Sequence, residues 1–256
     1  MGRVYRSLGG SQEPENRDKP ALSRGEKVFI LVVVVGIIGS LYPLGGPVLK
    51  KQRKAADRTE ALSNIKQISA MLAEFEADYG RFPDDETALE VKRQTSTDFT
   101  LTGEYSNDYF RQILTCSWGK SEKPFWSKTA QSPRKPDDDF STREKALADG
   151  EVGYSYIMAS ATRGQNSNDE PSRPVVVTPS YKFRADWTFD PEPYAGKAVV
   201  LRLDNSATPM QIRESDKKVS AGSAGKTLGD VGDGTVWGSD MNPILRAPQP
   251  RAAASK

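Results

Sequence analysis

The sequence predicts an α+β fold. A long N-terminal helix, one half membrane-embedded and the other amphipathic, packs on a small antiparallel β-sheet. Three observations predict it. Residues 28–44 form a run of 17 without charge. Leu62, Ile65, Ile68, Leu72, Phe75 and Tyr79 then recur at steps of three or four. From Val152 onward, short segments alternate apolar residues with small or polar ones.

The uncharged run stands at the short end of the roughly 17–25 residues that span a bilayer as a helix. Only a helix satisfies its own backbone there. Pro43 and Pro47 flank Gly45-Gly46, where a kink or short melted segment is expected. Lys50, Lys51, Arg53 and Lys54 follow as an interfacial basic cluster. The Leu62-to-Tyr79 series is one stripe of a helix and implies a packing face for the sheet. Gly80 fits a helix stop, and Pro83 prevents resumption.

Beyond Pro83 the signals shorten. The pattern fades from Asp84 to Leu101. Ser106-Asn107-Asp108 caps a short helix through Leu114. Ser141-Thr142-Arg143-Glu144 has capping-box spacing, and Gly150 would end the helix that it opens. Strands are expected around Val152 to Met158, at Val175-Val176-Val177, over 181–187 and over 197–203, the last with Met210-Gln211-Ile212 as its partner across Asp204-Asn205-Ser206. The organisation is a polar cytoplasmic leader at 1–25, the N-terminal helix at 26–80, an exported α+β head at 81–245 and a disordered tail at 246–256.

Composition excludes several chemistries. The 256 residues include one cysteine and no histidine. Ser-His-Asp and Cys-His catalysis and histidine-ligated metals are therefore out of reach, and the chain is read as a non-enzyme. Cys116 has no partner for an internal disulfide and reads as a small buried apolar residue. A formal net charge of +2 supplies no field for nucleic acid.

Two stretches match S-x-x-K, Ser117 to Lys120 and Ser215 to Lys218, but lack the companion elements of serine acyl-enzymes. Gly229-Asp230-Val231-Gly232-Asp233-Gly234, followed by Asp240, is the metal candidate. Hard carboxylate oxygens on a glycine-rich loop suit Ca²⁺, with Asp230, Asp233 and Asp240 as ligands; the competing reading is a set of turns. No other cofactor is implied. Trp118, Trp126, Trp187 and Trp237 are read as core residues in preference to a groove.

The layout over about residues 24–84 resembles the type IV pilins and the pseudopilins of type II secretion. Gly39 lies 14 and Pro47 lies 22 residues beyond Gly25, offsets that match the family's helix glycine and proline. Asn64-Ile65-Lys66-Gln67-Ile68 and Asp78-Tyr79-Gly80-Arg81-Phe82-Pro83 resemble its helix end and exit. Where members usually carry an aromatic residue and a glutamate after the cut, Glu26 and Ile30 stand.

The resemblance implies peptidase processing between Gly25 and Glu26 and an assembly helix marked by Gly39, Pro43 and Pro47. The implied partners are homologous pilin-like subunits, a prepilin peptidase, the inner-membrane assembly platform and membrane lipid. The implied function is a structural subunit of a pilus-like or secretion filament, held in a bacterial inner membrane by a single pass with its C-terminal domain exported. The alternative is an uncleaved single-span protein whose exported domain binds a ligand or another envelope protein.

Overall fold

The computed structural model describes residues 23–116 and 120–251, and of residues 34–48 the backbone only. Residues 1–22 of the 1–25 leader, residues 252–256 of the tail, and residues 117–119, which hold Trp118 and the start of one S-x-x-K match, lie outside the described residues. The chain divides into two compact units, Met1–Leu49 and Lys50–Lys256.

Helix α1 covers Arg24–Tyr79. Its described large apolar side chains in the first unit, Val28 to Val33 and Leu49, are all exposed. Among the described residues, no helix is long and apolar enough to cross a membrane. The fold expectation is corrected on this point: a membrane-spanning half of the helix is not found. The single-pass inner-membrane placement, the filament-subunit reading and the uncleaved-anchor alternative all required that span, so none of them stands. Among the described residues, the anchor that the resemblance to pilins implies is not found.

The second unit holds a small antiparallel sheet with helices on one side. After α1 come α2 (Asp85–Thr95) and α3 (Ser106–Thr115), then β1 (Ser155–Met158), β2 (Pro174–Thr178), β3 (Lys197–Arg202), β4 (Ala207–Gln211) and β5 (Ile244–Arg246). The strand order is β4-β3-β2-β1-β5, and every neighbouring pair is antiparallel. β3 and β4 form the hairpin expected across Asp204 to Ser206, with Asn205 in the left-handed region at φ 62°. Asparagine tolerates that conformation because its short side chain bonds locally.

Alternation along the strands sends side chains to two cores. Tyr156, Met158, Val199 and Leu201 face Ile65, Ile68, Leu72 and Phe75 of α1. Ile157, Val177, Val200 and Leu245 face the opposite layer, built by Phe189, Ile212, Val219, Leu228 and Trp237. Period two along the strand and period 3.6 along the helix meet at the first core. Two tyrosines also tie the layers polarly: Tyr154 Oη donates to Ala61 O at 2.8 Å, and Tyr156 Oη to Pro83 O at 2.9 Å.

Gly80, at φ 77°, ends α1, and its N–H bonds Glu76 O at 2.7 Å. α2 follows at once, opened by a reciprocal cap. Thr87 N donates to Asp84 Oδ1, and Asp84 N to Thr87 Oγ1, both at 2.8 Å. α3 covers the expected helix through Leu114. Its first turn is closed by Tyr105 N donating to Asp108 Oδ2 at 3.2 Å.

Two segments depart from expectation. Residues 181–187 are not a strand; a 3₁₀ turn at Tyr181–Phe183 opens a loop closed by the Ser180–Phe189 bridge. Residues 141–150 are turns rather than a helix. Arg111 Nε donates to Ala146 O at 2.7 Å, and Asn107 Nδ2 to Leu147 O at 2.8 Å. Those carbonyls serve side chains of α3 instead of a helix of their own.

Ile68 is fully buried against the sheet. Ile68→Asp places an unpaired carboxylate there and is expected to destabilise the chain by roughly 3–5 kcal/mol. Thermal denaturation of the full chain reads this as a lower Tm; an unchanged Tm would show that the stripe does not hold the second unit together.

A candidate binding cleft at the sheet edge

β5 is the outermost strand on its side of the sheet. It pairs inward with β1 through Ile244 with Met158, Leu245 with Ile157 and Arg246 with Tyr156. Along an antiparallel strand, alternate residues turn N–H and C=O outward. Beside that outer edge lies an open cleft of about 430 Å³. Five consecutive residues, Pro243 through Ala247, line it along β5. Glu104 and Tyr105, at the entry to α3, form the wall on the helix side. Phe183 and Trp187 form the wall on the other side.

The second wall is held in a demanding conformation. Lys182, Phe183 and Trp187 have φ of 51°, 53° and 60°. Left-handed backbone costs about 1–2 kcal/mol for each such side chain, and strain of this kind concentrates at functional sites. Bonds that close the loop keep it in place: Tyr181 N donates to Thr188 O at 2.9 Å, and Asp190 N to Pro179 O at 3.0 Å. Trp187 meets the ring of Trp237 edge-on, with centroids 6.1 Å apart. A Cβ on Gly229 would stand 2.6 Å from the Trp187 ring, so only glycine admits the indole there.

Along β5, Arg246 makes two contacts, but among the described residues it joins no ion pair and its buried Nε has no hydrogen-bond partner. Its Nη2 donates to Ala161 O at 2.6 Å, and its guanidinium lies 5.7 Å from the centre of the Tyr109 ring. Glu104 is exposed and joins no ion pair among the described residues. Two other clefts are polar, and each contains at least one ion pair. One, between the end of α1 and α2, contains the Arg81–Glu86 pair at 2.9 Å. The other lies over Asp108 and Arg111, paired at 2.7 Å.

The residues singled out from the sequence are dispersed. Gly25 and Glu26 lie in the first turn of α1, where Ser23 N donates to Glu26 Oε2 at 2.8 Å. Bonds from the Ser23 backbone and hydroxyl hold the Glu26 carboxyl below its ordinary pKa. Gly39, Pro43 and Pro47 lie within α1, and their side chains are outside the described residues.

Asp230 accepts from Thr227 N at 2.8 Å, and Asp240 from Ser239 Oγ at 3.2 Å. Asp230, Asp233 and Asp240 are not brought together: among the described residues, no group of three or more acidic or cysteine side chains is placed to hold a metal. Trp126 and Trp237 are buried, whereas Trp187 is half-buried and lines the cleft. Sequence reasoning missed β5, Tyr105 and Phe183. The one available signal was the alternation over 181–187, which marks residues packing on two sides of a loop.

No protein-family model matches the chain, and no curated protein and no solved structure matches it.

The acid most shifted by its surroundings, Glu122, is sealed in the interior. Its Oε1 accepts from Leu147 N at 2.5 Å, and its Oε2 has no partner among the described residues. Burial pushes its pKa from 4.5 up to about 7, helped by Glu151, Asp137 and Asp138. The folded state therefore binds more protons than the unfolded chain between about pH 4.5 and 7. Stability present below that window is lost as pH rises through it, by up to about 3 kcal/mol. Glu122→Gln keeps the acceptor for Leu147 and removes the charge. Tm measured from pH 4.5 to 8 is expected to fall less steeply in this variant than in the parent; parallel curves would show that Glu122 does not ionise in this window.

Proposed function

We propose that the chain is a non-enzymatic binding protein whose second unit takes a segment of another protein into the cleft beside β5. The observation that carries this reading is the cleft itself, where aromatic side chains from two layers flank the outer edge of a strand. Concave, largely apolar surface with a few polar groups is the usual form of a ligand site. Tyr and Trp supply contact area at low entropic cost, which is why binding surfaces favour them.

The chemistry of the chain supports binding over catalysis. It has no histidine to act as a general base. Glu122 is sealed away from any substrate. The buried hydroxyls of Ser127 and Thr178 bond one another at 2.7 Å, and those of Ser155 and Ser180 at 2.5 Å. Among the described residues, no side-chain base bonds any of them.

Selection of peptides from a displayed random library on the full chain tests the reading. Trp187→Gly is the decisive comparison. Glycine adopts the left-handed backbone at 187 without strain, while the variant loses the indole wall. Peptides selected on the parent are expected to bind the variant about tenfold more weakly, the equivalent of about 1.4 kcal/mol of lost contact. Selected peptides that bind both proteins equally, or no selection at all, would overturn the cleft as the binding surface.

A further inference from the structure

We infer that Glu122 works as a proton-operated latch: protonated, it keeps the turn around Leu147 seated against the 3₁₀ turn at Lys123–Phe125, and on losing its proton it lets that joint open to water. The latch shares no residue with the cleft beside β5.

The joint has a fixed side and a movable side. Glu122 belongs to the fixed one. Phe125 N donates to Glu122 O at 3.0 Å, and Glu122 N donates to Asp138 Oδ1 at 2.8 Å. Phe125 is fully buried, with its ring centre 5.0 Å from that of Phe110 on α3. The facing segment, residues 141–150, consists of turns. Leu147 within it stands at φ 45°, a left-handed conformation that side chains other than glycine resist.

Two sets of bonds seat Leu147. Its carbonyl accepts from Asn107 Nδ2 at 2.8 Å and from Arg111 Nη2 at 3.1 Å, both on α3. Its N–H bonds Glu122 Oε1. Losing the second bond frees the amide side of the turn while α3 keeps the carbonyl side.

The proton decides because the ionised carboxylate has almost nothing to hold it. Glu122 is fully buried, and its Oε2 has no hydrogen-bond partner among the described residues. A buried charge with one donor loses far more hydration than it recovers. The neighbouring charges make matters worse. Glu151, Asp137 and Asp138 all face it with like sign. The nearby cations are committed elsewhere: Lys123 to Asp138, Lys145 to Asp139 and Arg111 to Asp108. Asp149 and Arg143 act on Arg111. Among the described residues no cation pairs with Glu122. Opening the joint hydrates the charge at the cost of one hydrogen bond.

The direction follows from the proton count. Burial, then Glu151, Asp137 and Asp138, raise the Glu122 pKa from 4.5 to about 7 in the closed joint. The opened joint returns it toward the ordinary value, so opening releases a proton. Closure is strongest below about pH 4.5 and weakens as pH rises to about 7. The same segment supplies Arg143, Glu144, Ala148 and Asp149 to the cleft over Asp108 and Arg111, so the latch governs one wall of that cleft.

Native-state hydrogen exchange on the full chain tests the latch. Exchange of the Leu147 amide is followed from about pH 5.5 to 8 and corrected for the intrinsic pH dependence of exchange. Its protection is expected to fall at least about tenfold over that range. Urea below the unfolding transition separates local from global opening, because a local opening exposes little surface. Leu147 protection is expected to ignore such urea, while amides of β2 and β3 lose theirs.

Glu122→Gln keeps the acceptor for Leu147 and is expected to abolish the pH-dependent loss. Asp137 is exposed, and Asp137→Asn keeps the acceptor for Asp139 N while removing one facing charge. It is expected to shrink the loss without abolishing it, and it carries the test should Glu122→Gln fail to fold. Protection independent of pH would overturn the latch. So would a urea dependence matching that of β2 and β3, since only global unfolding would then free Glu122. An equal loss in parent and Glu122→Gln, or an unchanged profile in Asp137→Asn, would show that another group responds.

Discussion

The second unit depends on the meeting of one helix face with one sheet face. Ile65, Ile68, Leu72 and Phe75 recur at helical spacing, and they bury against strand residues that recur every second position. Each fully buried side chain of this size contributes roughly 1.5–3 kcal/mol. The bonds from Tyr154 and Tyr156 to backbone carbonyls at Ala61 and Pro83 then fix β1 along the helix. Once β1 is fixed, β2 and β5 take its two sides, and the edge with its cleft follows from the connectivity.

What was legible in the sequence was periodicity sustained over enough residues. The α1 stripe, the α3 helix and the β3–β4 hairpin each repeat a pattern several times, and each forms. α2 escaped notice because its cap pairs Asp84 with Thr87, in place of the usual Glu or Gln. Its buried face is also thin, resting on Ala88 and Val91. The helix expected over 141–150 had the right cap spacing, but Arg111 and Asn107 claim its carbonyls from outside. A local signal lost to a tertiary one. The uncharged run misled differently. It lacks charge over 17 residues but includes Gly36, Gly39, Ser40 and Pro43, and absence of charge is a weaker statement than a continuous apolar surface.

The candidate site was nearly illegible, for a physical reason. Its residues come from Glu104, Phe183, Trp187 and β5, segments far apart in the chain that share no spacing. β5 is three residues long, too short for any period to register. The alternation over 181–187 was real but came from a loop that buries Phe183 and half-buries Trp187 while exposing its neighbours. The late glycines attracted a metal-loop reading because aspartates are interspersed among them. Gly229 is instead required by the Trp187 ring that packs on it, and Asp230 caps its own turn. Glycine in a sequence marks close approach or unusual backbone without saying which.

The two edges of the sheet are treated unequally. β4 carries Pro209 in mid-strand, with polar Thr208 and Gln211 beside it. A proline in an edge strand removes a ladder donor and deters another chain from pairing. Its residues are exposed or half-exposed and present no wall. β5 has no proline within it and carries a single charge, on Arg246, already engaged. It is short, and Glu104, Tyr105, Phe183 and Trp187 line the cleft beside it. An edge that must never pair is better served by the first device. The second device leaves the edge backbone itself unblocked and relies on flanking side chains to restrict access.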